Sequence, residues 1–240
     1  MLSITKKELQ QFFSSLSGYI ALILFLIVNA VYLFVLKDSN IFDFGYATLE
    51  PFFTLAPWVF IFLIPAISMR SFSDEYKTGT FEIIKTLPIT RWQIVMGKYV
   101  SILLIILIAL LPTLLYPITI SSLSSESGID TGGITGSYIG LFLLASVFAA
   151  ISIWCSSLTS NAIITFLFSA FACLVLYFGF GALAKLAVFS GNADYYIEML
   201  GIDFHYQSIS RGVVDTRDLI YFLSMIFFFL FAARENIKKI

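Results

Sequence analysis

Six apolar stretches divide this chain, each near the length a helix needs to cross a bilayer. They are residues 18–36, 52–69, 99–120, 138–155, 161–181 and 219–233. A hydrocarbon core takes about 20 apolar residues per helix, with a range of about 17–25. The sixth is the shortest, and Arg217 and Arg234 at its ends are placed to snorkel and lengthen it. Inside a membrane every backbone polar group must be satisfied within the segment, so six such stretches predict six helices. Composition agrees: 59% of the 240 residues are hydrophobic and 12% charged, against about 45–50% and about 25% in soluble domains. That balance, with a formal net charge of −1, excludes a soluble enzyme, a disordered chain and a nucleic-acid binder. The predicted class is an all-α polytopic membrane protein, one transmembrane domain over residues 1–240.

Lysine and arginine set the expected orientation. With the N-terminus inside, ten of the 14 cations fall on the cytoplasmic side and only Lys37, Lys185, Arg211 and Arg217 outside. Both termini are then cytoplasmic. The first apolar stretch runs into Leu36-Lys37-Asp38 with no small-residue cleavage site, so it is expected to remain as an anchor.

The segments between spans carry their own patterns. In residues 1–17, Leu9, Phe12, Phe13 and Leu16 recur at helical spacing opposite Lys6, Lys7, Glu8, Gln10 and Gln11. This predicts an amphipathic helix lying in the interface. The 70–98 connection holds eight charged residues. Phe81, Ile84 and Leu87 give it one apolar helical edge, and Pro88 ends that helix. Thr90-Arg91-Trp92-Gln93 then reads as a capping box that starts a new helix leading into the third span. The mixture of apolar and charged residues predicts a docking surface for another protein. Residues 121–137 read as a flexible outer loop. Gly128, Gly132, Gly136 and Gly140 recur every four residues; the spacing permits a small-residue packing face, but loop flexibility is the preferred reading. In the outer segment 182–218, residues 183–189 read as a short interfacial or re-entrant helix.

Chemistry is sparse. The spans carry almost no charge, and Asn29 is their main strongly polar side chain. No carboxylate sits at a span centre to relay protons, and no His/Glu pair has metal-ligand spacing. Cys155 and Cys173 read as small apolar core residues. The only Gly-Lys pair, Gly97-Lys98, is preceded by Trp92 where a P-loop requires glycine and followed by Tyr99. The chain is therefore not expected to be an enzyme or to bind a cofactor, and any ATP energy must come from a partner. Pro57 and Pro65 in the second span and Pro112 and Pro117 in the third each remove a backbone donor and are expected to kink their helices.

One ordered set of residues resembles a known family. Arg70-Ser71-Phe72-Ser73-Asp74-Glu75, Gly79-Thr80-Phe81-Glu82, Leu87-Pro88-Ile89-Thr90-Arg91-Trp92 and Gly97-Lys98 lie in that order between the second and third spans. The pattern is similar to the hallmark of ABC-2 type transporter permeases. The resemblance implies six spans, an N-terminal interfacial helix and a cytoplasmic coupling helix. It implies that Asp74, Glu75, Gly79, Thr80, Phe81, Glu82, Pro88 and Arg91 form the region that contacts an ATPase. Residues 51–58 and 62–73 further resemble the GldF-type permeases of gliding-motility ABC transporters in Bacteroidota. That implies a multi-pass exporter subunit of the inner membrane. Its partners would be a GldA-like ATPase dimer carrying ATP and magnesium, and a GldG-like second permease subunit or a second copy of the chain. The alternatives are a non-transporting membrane anchor or assembly factor, an ion-coupled carrier and an intramembrane enzyme. The last two call for polar or catalytic groups within spans that the sequence does not place there.

Overall fold

A computed structural model describes residues 1–36, 48–123, 130–186, 192–212 and 215–239. Among them helices are the only regular secondary structure. An amphipathic α1 (Leu2–Ser14) precedes α2 (Leu16–Phe34). Then come α3 (Glu50–Ser68), the short α4 (Ser73–Thr78) and α5 (Thr80–Thr86), and α6 (Arg91–Leu110). A 3₁₀ turn at Pro112–Leu114 leads into α7 (Leu115–Leu123). The remaining helices are α8 (Thr131–Ser156), α9 (Ala162–Ala184), α10 (Asn192–Glu198), α11 (Ile202–Ser210) and α12 (Thr216–Lys239). Six helical segments are long and apolar enough to cross a membrane: Leu16–Phe34, Glu50–Thr78, Arg91–Ser122, Thr131–Ser156, Ala162–Ala184 and Thr216–Ile237.

The bundle is organised around α8. Its sequence is rich in small residues, and Ala145, Ser146, Ala149, Ala150 and Ser152 are all buried. Small side chains let neighbouring helices approach closely, the main source of packing between helices in lipid. Accordingly α3, α6, α9, α11 and α12 all pack on α8. By contrast α2 lies at the edge and leaves Ile20, Ile23, Leu24 and Ile27 exposed. It is held to α3 by Phe25 stacked on Phe60, ring centres 5.5 Å apart.

Gly136 and Gly140 of the glycine repeat form a packing face, contrary to the loop reading, while Gly132 is exposed. Helix α8 starts at Thr131, so Gly132, Gly136 and Gly140 are helical, while Gly128 lies outside the described residues. A Cβ on Gly140 would lie 2.6 Å from Ile209 Cγ2, and one on Gly136 would lie 3.0 Å from the Gly212 Cα. Helix α11 seats against this stripe because nothing projects from it.

The outer segment also differs from expectation. Of the 183–189 stretch, Leu183 and Ala184 complete α9, Lys185 and Leu186 follow it as a turn, and residues 187–189 lie outside the described residues. The helices of this segment are α10 and α11. Helix α11 is fixed at several points. His205 Nδ1 is 2.6 Å from Asp218 Oδ1, and its Nε2 is 2.9 Å from the Met199 carbonyl. Its ring stacks on Tyr221 at 3.9 Å.

The prolines reveal a further tie. Pro57 has no N–H for the Phe53 carbonyl four residues back, and Tyr206 on α11 donates its hydroxyl to that carbonyl at 2.7 Å. Pro117 likewise frees the Thr113 carbonyl, which accepts from the Tyr138 hydroxyl at 2.9 Å. Two helix defects are thus sealed by tyrosines from other helices, as a water-free interior requires. Pro57 and Pro65 lie within the continuous α3. At Pro112 the α-helix gives way to the 3₁₀ turn between α6 and α7.

Candidate functional site

The residues singled out between the second and third spans form an elbow at one end of the bundle. Helix α4 follows α3 after a tight turn, anchored where the Ser156 hydroxyl of α8 accepts from the Phe72 amide at 3.0 Å. Gly79 separates α4 from α5 with φ +70°, a left-handed conformation that costs a residue with a Cβ about 1–2 kcal/mol. The reversal folds α5 back, so that Phe81 meets Tyr76 edge-on at 4.9 Å and is buried. Helix α5 ends at Thr86, with Leu87 extended before Pro88 as the proline demands, but Leu87 is exposed and off the expected apolar edge.

The second half of the elbow follows the predicted local chemistry. Thr90 Oγ1 accepts from the Gln93 amide at 3.3 Å, and Gln93 Oε1 accepts from the Thr90 amide at 3.0 Å. This reciprocal cap satisfies two of the orphan donors at the start of α6.

The structure divides the eight expected contact residues. Gly79, Thr80, Glu82, Pro88 and Arg91 are exposed and Asp74 is half-buried. With exposed Ile83 and Leu87 they make a surface of mixed apolar and charged character. Glu82 pairs along its own helix with Lys85 at 3.2 Å. Glu75 and Phe81 instead face inward and are not part of that surface.

Glu75 belongs to a buried charge cluster that joins three helices. Lys98, in the second turn of α6, is completely buried. Its ammonium lies 2.8 Å from Glu8 Oε1 of α1 and 2.9 Å from Glu75 Oε2 of α4. It also donates to the Ser71 carbonyl and sits 4.8 Å from the centre of the Phe72 ring. Of the three donors of the ammonium, two go to Glu8 and the Ser71 carbonyl, while Glu75 Oε2 is held at ion-pair distance without a hydrogen bond of its own. Glu75 Oε1 takes a second cation, Lys7 of α1, at 2.6 Å. Two cations and two carboxylates balance, which is the condition for leaving charge buried. Nearby, Thr5 Oγ1 donates to the Gly97 carbonyl at 3.0 Å, and a Cβ on Gly97 would lie 2.9 Å from Ile4 Cβ. Helix α1 is therefore clamped onto α6 as well as amphipathic. It ends at Ser14, and Ser15 caps α2 through the Gly18 amide, so Leu16 belongs to α2.

Sequence reasoning placed Lys98 in a motif but expected the spans to be nearly free of charge. It also assigned Lys7 and Glu8 to a solvated face. The missed signal was charge balance: a lysine entering an apolar helix needs carboxylates, and Glu8 and Glu75 flank it in the two neighbouring polar segments. Asn29, the noted polar residue of α2, is fully buried and donates to the Phe25 carbonyl at 2.7 Å. Cys155 and Cys173 are buried and unpaired as disulfides. Among the described residues no group of three His, Cys, Asp or Glu side chains is placed to hold a metal.

A family model described as ABC-2 family transporter protein matches residues 2–225, nearly the whole chain. No curated protein matches it.

Proposed function

The chain belongs to the ABC-2 transporter family, and from that premise we propose that it is the membrane permease subunit of an exporter driven by a separate P-loop ATPase. Residues 1–240 make one transmembrane unit, with both termini and the α4–α5 elbow on the cytoplasmic side of a bacterial inner membrane. The excess of Lys and Arg on that side supports this orientation. The exposed face of the elbow, from Gly79 to Arg91, seats in the ATPase, and ATP and magnesium stay on that partner. The likeness of residues 51–73 to gliding-motility permeases supports a role in gliding, with a GldA-like ATPase and a GldG-like second membrane subunit.

One observation carries the coupling argument. The elbow is attached to the bundle through Lys98, which ties α4 to α6 and α1 at once. A push on α4–α5 is therefore delivered directly to the third span and to the interfacial helix. Packed elements of this kind shift as units rather than deform continuously. Glu82, exposed beside Lys85, and Arg91 are positioned to make charge-assisted contacts with the partner, while Phe81 and Gly79 set the angle at which they are presented.

The test is purification of the tagged chain from its own membranes with identification of the chains that accompany it. Recovery of a P-loop ATPase, lost when Glu82 and Arg91 are both replaced by alanine while membrane insertion persists, supports the reading. Unchanged complex yield and unchanged motility in the double variant would remove those two residues from the coupling surface. Absence of any ATPase would favour a non-transporting anchor.

A further inference from the structure

At the end of the bundle opposite the elbow, a cavity of about 710 Å³ opens among α3, α8, α9 and α11. That volume falls within the range of small-molecule sites, about 300–1,000 Å³. One wall is aromatic. The indole of Trp58 is half exposed and lies 4.3 Å, centre to centre, from the ring of Phe178. Among the described residues that line it the charge is unbalanced: Glu50, Asp130 and Asp203 stand against Arg211. None of the four forms an ion pair among the described residues. Asp130 caps α8 through the Gly133 amide at 2.9 Å, and Glu50 and Arg211 are exposed at the mouth.

Asp203 is the distinctive group. It projects from α11, half-buried, and Gln207 Nε2 donates to its Oδ2 at 2.7 Å. Tyr177 lines the same cavity. Burial pushes the Asp203 carboxyl above the ordinary aspartate range against the opposing pull of Tyr177 and Gln207, with Glu198 adding to the rise and Lys185 opposing it weakly. A partly desolvated carboxylate without a paired cation is costly to keep ionised, and a cation placed beside it relieves that cost. An aromatic platform favours the same sign of charge, because ring faces attract cations.

We propose that this cavity binds an organic cation, its charge at Asp203 and its apolar body against Trp58 and Phe178. An anion meets two surplus negative charges there, and a neutral sugar gains nothing from them. The proposal goes beyond the permease reading and does not depend on it, since binding is measured on the chain alone.

The experiment is equilibrium dialysis of the full chain in lipid nanodiscs with tetraphenylphosphonium, using tetraphenylborate as a probe of the same shape and opposite charge. The expected result is saturable binding of the cation, one per chain, above the linear partition seen with empty nanodiscs. Asp203→Asn, which preserves shape, lowers affinity about tenfold, the scale of one charge-assisted contact. Trp58→Ala weakens binding and Trp58→Phe largely retains it, while thermal melting of all three variants stays near wild type. Wild-type affinity in both Asp203→Asn and Trp58→Ala would overturn the proposal, as would equal saturable binding of tetraphenylborate.

Discussion

Replacing Lys98 with methionine removes the one cation that three helices share. The side chain is completely buried, and Glu8 and Glu75 keep only 12% and 8% of their side-chain surface exposed. Stranding a buried charge costs about 3–5 kcal/mol. Glu75 retains Lys7 at 2.6 Å, but that lysine is 49% exposed and lies 4.0 Å from Glu8. Glu8 is therefore the group left uncompensated, and the low end, about 3 kcal/mol, applies. At ~2–4 °C per kcal/mol for a chain of this size, melting falls by about 6–12 °C. The assay is thermal unfolding in nanodiscs followed by tryptophan fluorescence. Adding Glu8→Gln to Lys98→Met removes the stranded charge and restores more than half of the loss, a coupling that a double-mutant cycle isolates. A Lys98→Met protein that melts within about 2 °C of wild type, less than 1 kcal/mol, would refute the argument. Strict additivity of the two substitutions would do the same.

Other consequences follow from single contacts. Tyr206→Phe strands the Phe53 carbonyl and costs about 1–3 kcal/mol; combining it with Pro57→Ala, which returns an N–H to that carbonyl, recovers most of this in the same melting assay. Gly140→Ala places a Cβ 2.6 Å from Ile209 Cγ2 and costs about 1–3 kcal/mol by overpacking, which Ile209→Ala relieves. Gly79→Ala meets open space, so its cost is the left-handed backbone alone, about 1–2 kcal/mol, and it lowers recovery of the ATPase more than it lowers melting. For the cavity, acidification protonates Asp203 above the ordinary 3.8 because burial raises its carboxyl. Binding of tetraphenylphosphonium, measured by dialysis across pH, therefore weakens as pH falls through that raised range, and Asp203→Asn removes this dependence. Folding runs the opposite way with pH: the native state holds the Asp203 proton more tightly than the unfolded chain, so its contribution to stability declines as pH rises from about 3.9 through the raised value.

Local signals were legible wherever they were complete within a few residues. The cap at Thr90 and Gln93 needs only a four-residue pattern, and it is formed. Phe81 and Ile84 gave away the inward edge of α5, although Leu87 does not join them. Apolar runs of about 20 residues announced the six long helices, because lipid leaves the backbone no alternative. Features made by distant pairs were not legible. The burial of Lys98 depends on carboxylates on two other helices. The tyrosine seals over Pro57 and Pro117 join residues separated by 149 and 21 positions in the sequence, and no local pattern records them. The glycine stripe was read as a loop because its first members lie among polar residues, whereas a close approach by α11 explains it. The cavity combines four helices, so its charge imbalance exists only once they are assembled.

The central claim is that the α4–α5 elbow docks the ATPase. A photo-crosslinking amino acid placed at Ile83, 66% exposed on α5, tests it in native membranes, with the same probe at Tyr196 on α10, 68% exposed, as the control at the opposite end. The account predicts an adduct from position 83 that contains a P-loop ATPase and no such adduct from position 196. An ATPase adduct from position 196 with none from position 83 would contradict both the docking surface and the orientation.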